Sequence, residues 1–168
     1  MSEEYVLLVD DHNQVVGTAP RGKMRQEKLC HRAVYIFVFN GKGQLLVQER
    51  TLNKDIFPGY FDITAGGVVA QGESYNQAAC RELEEELGIR KVELIPHFHF
   101  YFHSDDCRVW GRVYSCCYDG SVVLQKDEVA NVVLESPEDI LENRFNRNYT
   151  PDSLVALERM IQTQQRGF

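Results

Sequence analysis

Residues 67 to 89 gather the side chains best suited to chemistry: Gly67, Glu73, Arg81, Glu82, Glu84, Glu85, Glu86 and Gly88. On a helix each residue turns by about 100°. With Glu82 as reference, Glu85 lies about 60° to one side and Glu86 about 40° to the other, while Glu84 points the opposite way. Three carboxylates therefore share one face, and Ala79, Leu83 and Leu87 form a separate apolar row that can pack on a sheet. Like charges at these spacings destabilise an isolated helix by roughly 0.2–0.5 kcal/mol per pair. They also fall in the last turns, where the helix dipole disfavours anions. A sequence that accepts both penalties implies a compensating cation, and three glutamates beside backbone carbonyls suit Mg²⁺ or Mn²⁺. Arg81, one helical turn before Glu85, can hold that carboxylate in place. A solvated acidic face is the other reading, but it leaves the spacing of Gly67, Glu73, Arg81 and Gly88 unexplained.

The elements that must position these groups follow from patterning. Ser74 with Gln77 matches a capping box, so a helix is predicted from there to Leu87, with Gly88 as its left-handed stop. Tyr5 to Val9 and Gln14 to Ala19 read as a hairpin, and Pro20 opens a short helix to about Glu27. Arg32 to Asn40 and Gln44 to Arg50 read as strands flanking the Asn40–Gly43 turn. Phe61 to Thr64 is a short strand leading to Gly66 and Gly67. Further strands are predicted over Glu93 to His103, Cys107 to Tyr118 and Val129 to Glu135, with a tight turn at Asp119–Gly120. Ser136 caps a short helix over Pro137 to Asn143, and Thr150 caps a longer one from Pro151 to about Gln165. In the run from His97 to His103, period two puts the histidines and Tyr101 on one face and the phenylalanines on the core face. Trp110 is read as core, with stacking on a nucleobase as its alternative. The pattern predicts an α/β (α+β) domain with a mixed, largely non-parallel sheet.

The whole chain bounds the function. Its 168 residues fit one domain, with an N-terminal hairpin and helix over about 1–28 and a core over about 29–168. The net charge of −7 excludes a general nucleic-acid polymer binder, which needs a basic face. No basic leader and no apolar run of about 18–20 residues is present, so no signal peptide and no membrane span is expected. Five cysteines without a CxxC pair fit buried, reduced thiols in the cytoplasm, with Cys116 and Cys117 on opposite strand faces.

The segment Gly67, Glu73, Arg81-Glu82-Leu83, Glu85-Glu86, Gly88-Ile89 resembles the Nudix box at every specified position. The resemblance implies the Nudix fold, a mixed sheet sandwiched between helices, and a hydrolase that splits a diphosphate bond in a nucleoside diphosphate linked to another group. It implies Glu82, Glu85 and Glu86 as Mg²⁺ or Mn²⁺ ligands, with the carbonyl of Gly66 or Gly67 added, and Glu73, Arg81 and Gly88 as supports. Glu82 and Glu85 thereby take catalytic roles. A remote carboxylate often serves such enzymes as base, and Glu128 is the candidate, with an exposed loop acid as its alternative. The stretches Leu29-Cys30-His31-Arg32-Ala33, Leu45 to Arg50, Phe57-Pro58-Gly59 and Thr150-Pro151-Asp152-Ser153-Leu154 resemble the isopentenyl-diphosphate isomerase branch of that superfamily.

In that branch, the positions of Arg50 and Lys54 grip the diphosphate; a surface salt bridge is the alternative for Lys54. Arg21 and Lys23 are further candidates. The chain departs from the isomerases where their catalytic Cys and metal-binding His stand, for it has Ala65 and Gly67 there, and Arg108 roughly where their second acid/base glutamate falls. His31 matches an isomerase metal ligand without its co-ligands. The alternatives are thus an isomerase lacking its proton-transfer pair, or a non-catalytic nucleotide-sensing module, which would be expected to lose box carboxylates. The implied partner is a small diphosphate-containing molecule, and the implied assembly a monomer or homodimer.

Overall fold

The computed structural model describes residues 3–166. Strands β1 (Tyr5–Val9) and β2 (Val15–Pro20) form a hairpin whose turn is closed by Asp10 Oδ1, which accepts from the amides of His12 and Gln14 at 2.8 and 3.0 Å. Helix α1 (Arg21–Glu27) follows directly, with Pro20 at its N-cap. Strand β3 (His31–Phe39) is the centre of the molecule. It runs parallel to β8 (Arg108–Cys117) along its whole length, from His31 opposite Val109 to Phe39 opposite Cys117. On its other edge it pairs antiparallel with β6 (Ala65–Val68). Strand β7 (Ile95–His103) extends the sheet beyond β8. Strand β4 (Leu45–Arg50) leaves β3 through the Asn40–Gly43 turn and pairs with β5 (Phe61–Asp62) and β9 (Val129–Glu135). Only the β3–β8 pair is parallel, in line with the largely non-parallel sheet expected.

The alternation of β3 divides the core into two layers. Ala33, Tyr35 and Phe37 pack with Phe100, Val109 and Val113 beneath helix α4 (Pro151–Arg166), which contributes Ala156, Leu157 and Met160. Ile140 of the short helix α3 (Pro137–Glu142) joins this layer. Val34, Ile36 and Val38 pack on the opposite side against Ala78, Ala79, Leu83 and Leu87 of helix α2 (Tyr75–Leu87). The sheet is therefore sandwiched between helices. The expected apolar row of α2 is the one that is buried, and truncating Leu83 to Ala would cost about 2–5 kcal/mol. No helix among the described residues is long and apolar enough to cross a membrane.

The structure departs from the sequence expectations in four places. First, Gly66 and Gly67 lie inside strand β6, although strand propensity disfavours glycine. Close approach explains it: a Cβ on Gly66 would stand 1.9 Å from the Val34 carbonyl oxygen. Second, Asp119–Gly120 does not turn the chain back as a hairpin; Asp119 Oδ1 accepts from the Gly41 amide at 2.8 Å, tying β8 to the β3–β4 turn. Third, Thr150 does stand at the start of α4, its carbonyl accepting the first amide, from Leu154, but its hydroxyl meets Ser153 Oγ at 2.6 Å in place of a helix amide. Fourth, Cys30, Cys107 and Cys116 are buried thiols, but Cys80 and Cys117 are exposed. Cys116 and Cys117 do face opposite ways.

Candidate active site

Helix α2 carries the acidic cluster and is fixed at both ends. Ser74 Oγ accepts from the Gln77 amide, and Gln77 accepts from the Ser74 amide, at 3.1 and 2.9 Å, completing the capping box. Gly88 ends the helix at φ 68°. The last carbonyls, which no helix amide reaches, accept instead from residues 121–128: Val123 to Leu87 at 2.9 Å and Gln125 to Glu86 at 3.1 Å. That segment brings Glu128 to the same site.

Arg81 is the hub. Its Nε and Nη2 donate to both oxygens of Glu73, at 2.6 and 2.9 Å, while Glu73 also accepts from the Ala70 amide. Nη2 reaches the Val68 carbonyl at 3.3 Å, and Nη1 donates to Glu82 at 2.8 Å and Glu85 at 3.1 Å. One guanidinium thus joins the 69–74 loop, the end of β6 and two helix carboxylates. The Arg81 hydrogen bonds hold the Glu73 carboxyl below the usual carboxylate range. Burial pushes Glu82 and Glu86 the other way, with each charge opposing its neighbour.

Glu86 is almost fully buried and accepts from the Gly66 amide at 2.7 Å. Gly67 lies against Glu82 so closely that a Cβ would be 2.7 Å from the carboxyl carbon. The three glutamates therefore share the expected face but take different partners: Arg81 for Glu82 and Glu85, the β6 backbone for Glu86. Accordingly, among the described residues no three Asp, Glu, His or Cys side chains already converge into a cage. The donor set nonetheless fits a hard divalent ion, since two desolvated, mutually repelling carboxylates sit beside the glycine backbone, Glu82 held by Arg81 and Glu86 by the Gly66 amide.

Lys54 and Glu128 face this cluster. The two, separate candidates in the sequence, form an ion pair across the cleft mouth. Thr51 supports the junction: it donates through its amide to the Glu128 carbonyl and through its hydroxyl to the Asp127 carbonyl, at 3.2 and 2.9 Å, while its own carbonyl accepts from the amides of Lys54 and Gly59. Arg50 lies in the cleft, and its guanidinium donates to the Ile56 and Phe57 carbonyls and to Asp62. It therefore holds the loop that carries Lys54.

The cleft has two connected lobes. The outer one encloses about 270 Å³ between Glu82, Glu85, Arg81, Lys54 and Glu128. The inner one is reached past Arg21, Lys54, Gly66 and Gly67, which line both. Arg21 and Arg25 share Asp55 at 3.2 Å each, and the paired guanidinium groups pull its carboxyl down to about 2 against the effect of burial. Lys23 lies outside the cleft and pairs with Glu27. Sequence reasoning missed Arg25, Asp55, Asp62 and Asp152; a turn of spacing from Arg21 was the only signal for Arg25.

The remaining candidates lie as follows. His31 is buried at the inner lobe with Nδ1 2.9 Å from the Leu29 carbonyl, and burial lowers its pKa to about 4. Arg108 points away from the cleft, to Asp11 and Tyr101. Phe98, Phe100 and Phe102 face the core, and the histidines of β7 face away from it, as the period-two pattern requires. Trp110 is half-buried on the histidine face, 5.5 Å from Tyr101.

Comparison with known proteins agrees with this geometry. The profile of the NUDIX domain matches residues 30–154. The chain is 47% identical over 156 residues to the uncharacterized Nudix hydrolase YfcD of Escherichia coli, covering 93% of this chain and 86% of that one. It is likewise 47% identical over 154 residues to an uncharacterized Nudix hydrolase of Yersinia pestis, covering 92% and 84%. A crystal structure from Deinococcus radiodurans superposes with a TM-score of 0.82 at 27% identity, covering 93% of this chain and 98% of that one.

Proposed function

The chain belongs to the Nudix hydrolase family, and from that premise we propose that it hydrolyses a diphosphate bond in a nucleoside diphosphate linked to another group, using Mg²⁺ or Mn²⁺. The observation that carries this reading is the Arg81 hub, which fastens the Glu73 loop and the Glu82 and Glu85 carboxylates opposite the Gly66–Gly67 backbone.

The roles follow from position. Glu82, Glu85 and Glu86, with a carbonyl from Gly66 or Gly67, would hold the ion, Glu85 exchanging Arg81 for it. The bound ion would neutralise the diphosphate and lower the pKa of a coordinated water. Arg81 and Glu73 keep the helix and glycine strand in register. Lys54 would leave Glu128 for a phosphate oxygen, freeing that carboxylate to take the proton of the attacking water. Arg21 and Arg50 add positive charge at the throat of an otherwise acidic cleft. Position 65 is a buried alanine, and Arg108, roughly where the second acid/base group of an isomerase falls, is engaged with Asp11 and Tyr101 away from the cleft, so neither offers a proton-transfer group.

Product analysis in ¹⁸O-labelled water tests the reading. Incorporation of one ¹⁸O into a phosphate product, dependent on Mg²⁺ or Mn²⁺, is expected. Rearrangement of an isoprenoid diphosphate without phosphate release would instead establish an isomerase.

A further inference from the structure

Beyond the box, the inner lobe of the cleft presents a chemistry of its own. It is compact, about 80 Å³, and is built from α1, β3, the end of β4, the 51–60 loop, β5, β6, β8 and the start of α4. Two carboxylates line it, Asp62 and Asp152. Asp62 is fully engaged: Oδ2 accepts from Arg50 at 3.2 Å, and Oδ1 accepts from the Thr64 amide and hydroxyl. Asp152 differs. Tyr35, rising from the floor of β3, donates its hydroxyl to Oδ2 at 2.7 Å, and no other side chain among the described residues donates to this carboxylate. Asp152 therefore offers an acceptor to whatever enters the lobe. Burial and the facing Asp62 charge raise its pKa above the ordinary aspartate value.

The surrounding charges narrow the ligand. Four cations, Arg21, Arg25, Arg50 and Lys54, line the lobe and its throat. They suit a phosphate at the throat and oppose an ammonium group further in. A hydrocarbon chain would leave Asp152 Oδ1, the oxygen that Tyr35 does not engage, buried against it without a side-chain donor, a cost of about 1–3 kcal/mol. A neutral hydroxylated group suffers neither penalty.

We propose that the inner lobe is the subsite for the group attached to the diphosphate, and that Asp152, held by Tyr35, selects a compact polyol-type group with free hydroxyls over an apolar one of the same size. This rests on the hydrolase reading of the outer lobe. Asp152 acts here as a specificity residue and takes no part in bond cleavage.

Matched nucleoside diphosphate esters of glycerol and of propanol test it. The wild-type protein should show a kcat/KM at least about tenfold higher for the glycerol ester, because a site built to pair a hydroxyl rejects the analogue that lacks it. Asp152→Leu should bring the two within about twofold, chiefly by lowering kcat/KM for the glycerol ester. Asp152→Asn and Tyr35→Phe, which conserve shape, should narrow the preference and guard against loss of folding in the leucine variant. Calorimetric binding of both esters to Glu85→Gln, with Mg²⁺, separates recognition from hydrolysis. Tighter binding of the glycerol ester without turnover by the wild type would sink the hydrolase reading and leave the subsite standing. Equal turnover of both esters would do the reverse, and failure of the glycerol ester to bind, alone or together with the propyl ester, would overturn the subsite.

Discussion

At Gly67 a single methyl group would enter the Glu82 carboxylate, so backbone and acid are fitted without slack. Gly67→Ala should displace Glu82 and lower metal-dependent turnover by about 10²-fold, the scale of a misplacement near 1 Å, with little change in thermal midpoint. Steady-state kinetics beside a melting curve check this. Lys54 poses a different question, because its pairing with Glu128 fits both a substrate clamp and an ordinary surface bridge. Lys54→Met should raise KM about tenfold with a smaller effect on kcat if the ammonium turns to the diphosphate. An unchanged KM would leave only the bridge.

Helix α2 shows at the element scale what could be read in advance. Its capping box, its apolar row and its glycine stop all lie within one contiguous stretch, so local spacing was enough to place the carboxylates on a face. Ser74→Ala should therefore cost about 1 kcal/mol and lower the thermal midpoint by about 2–4 °C while turnover per folded molecule stays the same. Strand β6 was not legible, because two glycines argue against a strand. They are tolerated for the close approach of Val34 and Glu82, and such contacts are distant in sequence. The Lys54–Glu128 pair was hidden for the same reason: 74 residues separate them, and the β4–β9 ladder, ending at Arg50 opposite Val129, with the stitching of Thr51 to residues 127 and 128 brings them together. The inner lobe draws on residues from α1 through to α4, so no single stretch of sequence announced it.

At the scale of the molecule, the net charge of −7 is divided sharply. Five glutamates between Glu73 and Glu86 face one arginine, while Arg21, Arg25, Arg50 and Lys54 collect along the inner lobe. The cleft thus runs from a cation-seeking wall to an anion-seeking throat. Stability should depend on pH through His31, buried between the strands and α1 with Arg21, Arg25 and Asp55 facing it. Its folded pKa, about 4, lies below the unfolded value of 6.5, so the unfolded chain takes the proton first. The contribution is complete above about pH 6.5 and is lost as pH falls toward 4, by roughly 3 kcal/mol at most. Asp55, lowered to about 2, loses its contribution only below pH 4. Denaturant titrations of His31→Gln should show a flatter profile between pH 4 and 6.5.

The central claim is that the helix glutamates hold a divalent ion that drives diphosphate hydrolysis. Glu85 is exposed, so Glu85→Gln should fold normally. The direct measurement is the initial rate of phosphate-bond cleavage against Mg²⁺ and Mn²⁺ concentration for wild type and Glu85→Gln, across nucleotide sugars, dinucleoside polyphosphates and other small diphosphates. The expected result is a saturable metal dependence in the wild type and a rate at least about 10²-fold lower in the variant. A variant with the full metal-dependent rate, or a wild type that cleaves equally well in chelator, would contradict the assignment.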